Sequence, residues 1–266
     1  MARETPRRSN GRRSPWAAAA LIGIGLLITG GVYAGASAAV AANTETSVAS
    51  ALTVEDGKKL FQANCATCHG LDLQGTETGP SLYGVGELSV EFQVATGRMP
   101  LQAQAPQAPQ KPVQFTQEQI DAMAAFVQST APGPTFPEAE VLDGEGDVAR
   151  GGELFRVNCA MCHNVAAAGG ALTEGKYAPA LHQTSALHMY AAMVTGPQNM
   201  PVFNDLNLST EDKRDIISSL LFMQQNESPG GFSLGALGPV SEGLFIWIFG
   251  IGGLIAITVW ITAKSN

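Results

Sequence analysis

Charge is scarce in this chain of 266 residues: Lys, Arg, Asp and Glu together make up 14% of it. A soluble domain carries roughly 25%, so membrane-spanning runs are expected. Basic residues are the scarcer sign. Residues 43–240 hold nine Lys and Arg against 21 Asp and Glu, a net charge of −12. That balance excludes a nucleic-acid partner, because phosphate demands the opposite sign. Runs that alternate apolar and polar residues are also lacking, which leaves a mostly helical reading with long loops. Cysteine is limited to four residues, all inside two copies of one pattern, NCATCHG at 64–70 and NCAMCHN at 158–164.

Two long uncharged runs are present. Trp16 to Ala42 carries no charge and follows Arg3, Arg7, Arg8, Arg12 and Arg13. It exceeds the ~20 residues that cross a bilayer as a helix, and arginines before it favour a cytoplasmic N-terminus, here residues 1–15. Residues 16–42 therefore read as a signal-anchor or transmembrane helix. A cleaved signal peptide is the alternative, because Ala36-Ser37-Ala38 and Ala39-Val40-Ala41 resemble small-residue cleavage sites. On either reading the chain beyond residue 42 is exported. The second run, Leu244 to Thr262, has Trp247 and Trp260 near its ends and Lys264 just beyond. Residues 241–263 read as a transmembrane helix. Gly250, Gly252 and Gly253 form a smooth strip suited to a neighbouring helix in the membrane.

Between the runs lies an internal repeat. GKKLFQANCATCHG from Gly57 and GGELFRVNCAMCHN from Gly151 agree at Gly, Leu, Phe, Asn, Cys, Ala, Cys and His. Downstream, GPSL at 79–82 answers APAL at 178–181, and ATGRMP, ending at Pro100, answers VTGPQNMP, ending at Pro201. TQEQIDAMAAFV from Thr116 answers TEDKRDIISSLL from Thr210, and both read as amphipathic closing helices. The expected layout is two tandem domains, 50–131 and 150–228, joined by an acidic Pro/Gly linker over 132–149. Thr53-Val54-Glu55-Asp56 resembles a helix-capping sequence. The Pro/Gln-rich stretch Leu101–Gln114 occurs in the first copy only and reads as an extended, bare surface loop, with a docking segment as the alternative.

In each copy the cysteines stand at i and i+3 with His at i+4, on one side of a helical turn. A redox dithiol needs no adjacent His, and a structural zinc needs four ligands that each copy alone does not supply. The remaining reading is covalent haem: two thiols add to the haem vinyl groups, and the next residue reaches the iron. Cys65, Cys68 and His69 then hold one haem c, and Cys159, Cys162 and His163 a second. Met99 and Met200, each followed by Pro, occupy matching places and are the candidate opposite axial ligands, a pairing that raises the potential and blocks the iron to substrates. Met123, Met189, Met193, His182 and His188 are the competitors, each more readily a packing or surface residue.

On these residues each copy resembles a class I cytochrome c domain. The resemblance implies that Pro80 and Pro179 orient the proximal His. It also implies that Gly57 with Phe61, and Gly151 with Phe155, cross the closing helix. The order of segments, with hydrophobic runs flanking two tandem domains, is similar to the dihaem cytochrome c subunit of actinobacterial-type cytochrome bc complexes. That resemblance implies an electron-carrying subunit of a quinol–cytochrome c reductase in the cell membrane, with its c domains on the extracytoplasmic side. The partners it implies are a cytochrome b subunit, a Rieske iron–sulfur subunit and an aa3-type oxidase in a supercomplex. A cytochrome subunit of a cbb3-type oxidase or of a periplasmic dehydrogenase is the alternative. A dihaem peroxidase needs an open iron, which the paired Met candidates oppose.

Overall fold

The computed structural model describes residues 15–45, 52–103, 105–226 and 239–264; the arginine-rich residues 1–14 lie outside it. Helix α1 spans Pro15–Glu45. Its described side chains, among them Trp16, Leu21, Leu26, Leu27 and Tyr33, are mostly solvent-facing apolar groups, and its apolar stretch, Ala19–Tyr33, is shorter than the C-terminal one. It forms a unit separate from the rest of the chain.

The first repeat contains α2 (Val54–Asn64), the four-residue α3 (Ala66–His69), α4 (Gly86–Ala95) and α5 (Gln117–Thr130). Helix α2 starts where the sequence places it. The Thr53 hydroxyl accepts from the Asp56 amide, and the Asp56 carboxylate accepts from the Thr53 amide, a reciprocal cap. Helices α2 and α5 pack face to face at Gly57, where a Cβ would sit 1.9 Å from the Ala122 carbonyl oxygen. Only a residue without a side chain permits that approach. One turn on, the Phe61 and Phe126 rings meet at 5.5 Å between centroids.

The second repeat contains α6 (Val148–Asn158), the four-residue α7 (Ala160–His163), α8 (Ala186–Thr195) and α9 (Thr210–Gln225). A hairpin of two-residue strands, Gly170–Ala171 and Tyr177–Ala178, precedes α8. Gly151 repeats the role of Gly57, with a Cβ position 1.9 Å from the Asp215 carbonyl oxygen. Phe155 is buried beside Ile216, Ile217 and Leu220.

Two expectations change. The closing helices correspond one residue earlier than their aligned threonines suggest. Thr116 caps α5, whereas Ser209, not Thr210, caps α9 through the same reciprocal box with Asp212. The cap, set by a side-chain oxygen reaching an amide three residues on, puts Asp215 opposite Ala122 and Ser219 opposite Phe126. The loop 101–114 is irregular, as expected, but it is not a bare surface loop. Ala108 is 5% exposed. Gln107 makes two hydrogen bonds across to the second repeat: its amide nitrogen donates to the Tyr177 carbonyl (2.9 Å), and its oxygen accepts from the Tyr177 amide (2.8 Å). The Ala108 amide donates to Gln198 (3.1 Å). A proline-rich segment has few amides to spend on regular structure, and here glutamine side chains supply the missing pairing. The loop turns back past Gly97, where a Cβ would clash with the Lys111 carbonyl at 1.8 Å. Lys111 then donates to the Pro100 carbonyl at 2.5 Å.

The two repeats share a small apolar core between α4 and α8, made of Leu88, Phe92 and Ala191 with Leu187, Tyr190 and Val194 packed on it. The connector 132–149 is likewise pinned at both ends. The Leu88 amide donates to the Pro134 carbonyl (3.2 Å), and Arg214 donates to Asp143 (2.9 Å). After residue 226 the described chain resumes at α10 (Pro239–Phe245), passes through a π-helical turn at Ile246–Ile251 and ends in α11 (Gly252–Lys264). Ser241–Lys264 is one continuous helix of 24 residues, long and apolar enough to cross a membrane. The Lys264 ammonium lies 4.9 Å from the Trp260 ring centroid, an interfacial pairing of a cation with an aromatic face.

Candidate haem sites

Each Cys-x-x-Cys-His stretch forms one short helical turn directly after the first helix of its repeat. The backbone turns sharply at Cys65 and Cys159, which end α2 and α6 and start the next turn. The His69 amide donates to the Cys65 carbonyl (3.0 Å) and the His163 amide to the Cys159 carbonyl (2.9 Å), so the three side chains of each set project from one turn. Cys65 packs against the apolar clusters around Phe61 and Met123, and Cys159 is buried among Phe155, Met189 and Met193. Burial, with the neighbouring second cysteine adding to it, pushes both thiols up to about 11.

The histidines are oriented identically. His69 Nδ1 lies 2.8 Å from the Pro80 carbonyl oxygen, and His163 Nδ1 lies 2.9 Å from that of Pro179. A carbonyl accepts only, so Nδ1 carries the proton and Nε2 keeps its lone pair free. Such a bond fixes the ring and makes it a better metal ligand. Burial also pushes the His163 pKa down, which keeps that ring neutral. The two prolines lack an amide and sit on tight loops, where Gly79 closely approaches Cys68 and Gly169 the Ala178–Ala180 backbone.

A cavity of about 420 Å³ opens beside His163, within the ~300–1,000 Å³ of cofactor clefts. Cys159, Cys162, His163, Pro179 and Met200 all line it, with Phe155, Leu181, Met189, Met193 and Leu220 as apolar wall. Two thiols, an imidazole with a free nitrogen and a thioether around an apolar cleft fit a covalently attached haem. Among the described residues, no group of three or more His, Cys, Asp or Glu is arranged to hold a metal ion. In the first repeat, Met99 packs in one cluster with Cys65, Val94, Ile120 and Met123.

Of the competing residues, His188, Met189 and Met193 also line the cavity beside His163. Met123, Met189 and Met193 are 1%, 4% and 4% exposed, core side chains on helices, whereas Met200 and Met99 are half-buried on loops. His182 is exposed. His188 stands edge-on to Phe92 with centroids 6.0 Å apart, and its Nε2 lies 3.6 Å from buried Glu91. Sequence reasoning missed Arg98 and, from the 101–114 loop that straps onto the second repeat, Gln107 and Gln110; all three line the cavity beside His163 although they belong to the first repeat. Burial lowers the Arg98 pKa from its ordinary value.

A paired helix crossing at glycine, a Cys-x-x-Cys-His turn and a histidine locked to a proline carbonyl, all occurring twice, define a c-type cytochrome of two cytochrome c modules. The family model described as Cytochrome c matches residues 54–131. The one described as Cytochrome C oxidase, cbb3-type, subunit III matches residues 146–218, a likeness confined to the second module. The similarity to whole proteins is more specific. A protein of Corynebacterium efficiens is 48% identical over 228 residues, covering 80% of this chain and 77% of that protein. Relatives from Mycobacterium tuberculosis (44% identical, 91% and 90% covered) and Corynebacterium diphtheriae (41%, 93% and 92%) align over more of the chain. All three are named cytochrome bc1 complex cytochrome c subunit. The chain belongs to this family of cytochrome bc1 complex cytochrome c subunits.

Proposed function

We propose that the chain carries two covalently bound haem c groups and serves as the electron-carrying subunit of a respiratory quinol–cytochrome c reductase. The observation that carries this reading is kinship along 91–93% of the chain with proteins named as that subunit. Cys65 and Cys68 anchor the first haem and Cys159 and Cys162 the second. His69 with Met99 would ligate the iron of the first haem, and His163 with Met200 that of the second. The haem iron supplies a reversible one-electron change.

The protein's own residues do the rest. The Pro80 and Pro179 carbonyls hold each imidazole in one tautomer. A methionine thioether would leave no coordination position for a substrate and would raise the potential, as would an apolar wall. The domain reading is 50–131 and 150–228, with the helices at 16–42 and 241–263 holding the modules at the membrane on its extracytoplasmic side. Within the complex the chain stands between the Rieske iron–sulfur subunit and a terminal aa3-type oxidase, beside cytochrome b.

Purification from native membranes tests this. Cytochrome b and the Rieske subunit are expected to copurify, with two haems c per chain. Carbon monoxide is expected to leave the reduced c-type spectrum unchanged. Isolation without cytochrome b would remove the subunit reading, and fast carbon monoxide binding would remove the pure-carrier reading.

A further inference from the structure

The cavity beside His163 is not walled by the second repeat alone. Phe92, Thr96 and Arg98 from the first repeat, and Gln107 and Gln110 from its strap, line it too. Arg98 is an unusual wall residue. It is 9% exposed, and its guanidinium carbon lies 5.0 Å from the centroid of the Phe92 ring. Among the described residues its guanidinium makes no hydrogen bond or ion pair, whereas Arg150 and Arg214 both sit on carboxylates. The carboxylate next to Phe92 in the chain, Glu91, has other partners: Gln117 donates to it at 2.9 Å, and His188 lies 3.6 Å away.

A buried cation without a counter-charge is costly, and the cost falls when an anion with matching geometry arrives. A haem is apolar over most of its surface and carries two propionate carboxylates, which the planar guanidinium fork suits better than an ammonium does. We propose that Arg98 of the first repeat pairs with a propionate of the haem held by the second repeat, so that the second site is built from both repeats. This rests on the reading that Cys159, Cys162 and His163 hold a haem. Arg98 is a positioning residue; it makes no bond to the iron.

The consequence is a link between the sites. Met99 packs with Cys65 in the first module, while Arg98, one residue earlier, faces the cavity of the second. A positive charge beside a haem favours its reduced state, so Arg98 raises the potential of the second haem and holds the modules at one spacing.

The test uses the full-length membrane protein with Arg98→Met, which keeps the stem on Phe92 and removes the charge, and Arg98→Lys, which keeps the charge without the fork. Redox titrations are run beside a Cys159→Ser/Cys162→Ser variant, which leaves the first haem's transition alone and so assigns the two. In Arg98→Met the second midpoint is expected to fall and the first to stay. Arg98→Lys is expected to give a smaller fall. Resonance Raman spectra should show a shifted propionate bending band in both variants, and Arg150→Met should leave that band and both midpoints in place. An unchanged second midpoint and propionate band at full haem content would overturn the proposal, as would a shift of the first haem alone. If Arg98→Met does not mature, an unchanged propionate band in Arg98→Lys overturns it. Two haems remaining in the double-cysteine variant would instead refute the underlying haem assignment.

Discussion

The two modules are built on one plan yet solve the interior differently. Both cross their first and last helices at a glycine, both lock a histidine on a proline carbonyl, and both cap the closing helix with a reciprocal box. The closing helix α5 buries Ile120, Met123, Phe126 and Val127. Its counterpart α9 buries Lys213, Asp215, Ser218 and Ser219 among its apolar residues. Three of these polar groups have partners in the connector or the preceding loop. Lys213 donates to Asp205 (2.5 Å) and to the Leu208 carbonyl (2.9 Å). Asp215 accepts from the Asp147 amide (2.7 Å) and lies 3.4 Å from Arg150. The Ser218 hydroxyl accepts from the Gly146 amide (2.9 Å). Asp215 and Ser218 on α9 tie down the end of the connector that enters the second module. Duplication preserved the contacts around the cysteines and left the outer face free to become a joint.

The largest expected effect tests what the modules share. Gly57→Ala and Gly151→Ala each place a methyl within 1.9 Å of a backbone oxygen. Each should cost about 3 kcal/mol or more and halve the haem content measured as the pyridine haemochrome. Loss of both haems from either change would show that the modules do not fold independently. Next, Asp215→Ala installs the residue type that the first module has at Ala122. It leaves Arg150 and the Asp147 amide without their buried acceptor, at about 2 kcal/mol. Chemical denaturation should show the second module melting earlier and the first unchanged. Gln107→Ala removes the strap's paired hydrogen bonds to Tyr177, for about 1 kcal/mol. Faster amide exchange at Tyr177, with no change at the first module, is the expected readout.

The smallest effect concerns acid. The Arg150 guanidinium, then the Ser209 cap, hold the Asp212 carboxyl below its ordinary value. A carboxylate lowered in the folded state stabilises above its unfolded pKa, near 3.8, and that stability is lost as pH falls through the lower folded value. Asp56, lowered chiefly by Thr53, gives the first module the same sense of dependence without an arginine across the helix pair. A denaturation midpoint tracked from about pH 5 to pH 2 should fall for both modules. Asp212→Asn should flatten the second curve alone.

Much of the site is legible in the sequence because its chemistry is local. Cysteine, cysteine and histidine within five residues occupy one turn whatever surrounds them. Gly57 and Gly151 follow from a packing need that repeats with the motif. The closing helices are visible in their periodicity, but their correspondence slips by one residue, since Thr210 aligns by identity while Ser209 caps by geometry. The strap is not legible, because Pro and Gln carry no periodic signal and its amides and side chains find partners about 70 to 90 residues away in sequence.

The sequence by itself determined the two Cys-x-x-Cys-His turns, the duplicated helical modules and the apolar run that becomes the C-terminal helix, because each depends on neighbours within a few turns of chain. Only the tertiary structure decided that the 101–114 strap lies on the second module, that α4 and α8 form a shared core, and that Arg98 faces the cavity beside His163. Those are contacts between distant segments. They depend on which faces remain uncovered once each module has folded, and no local pattern encodes that.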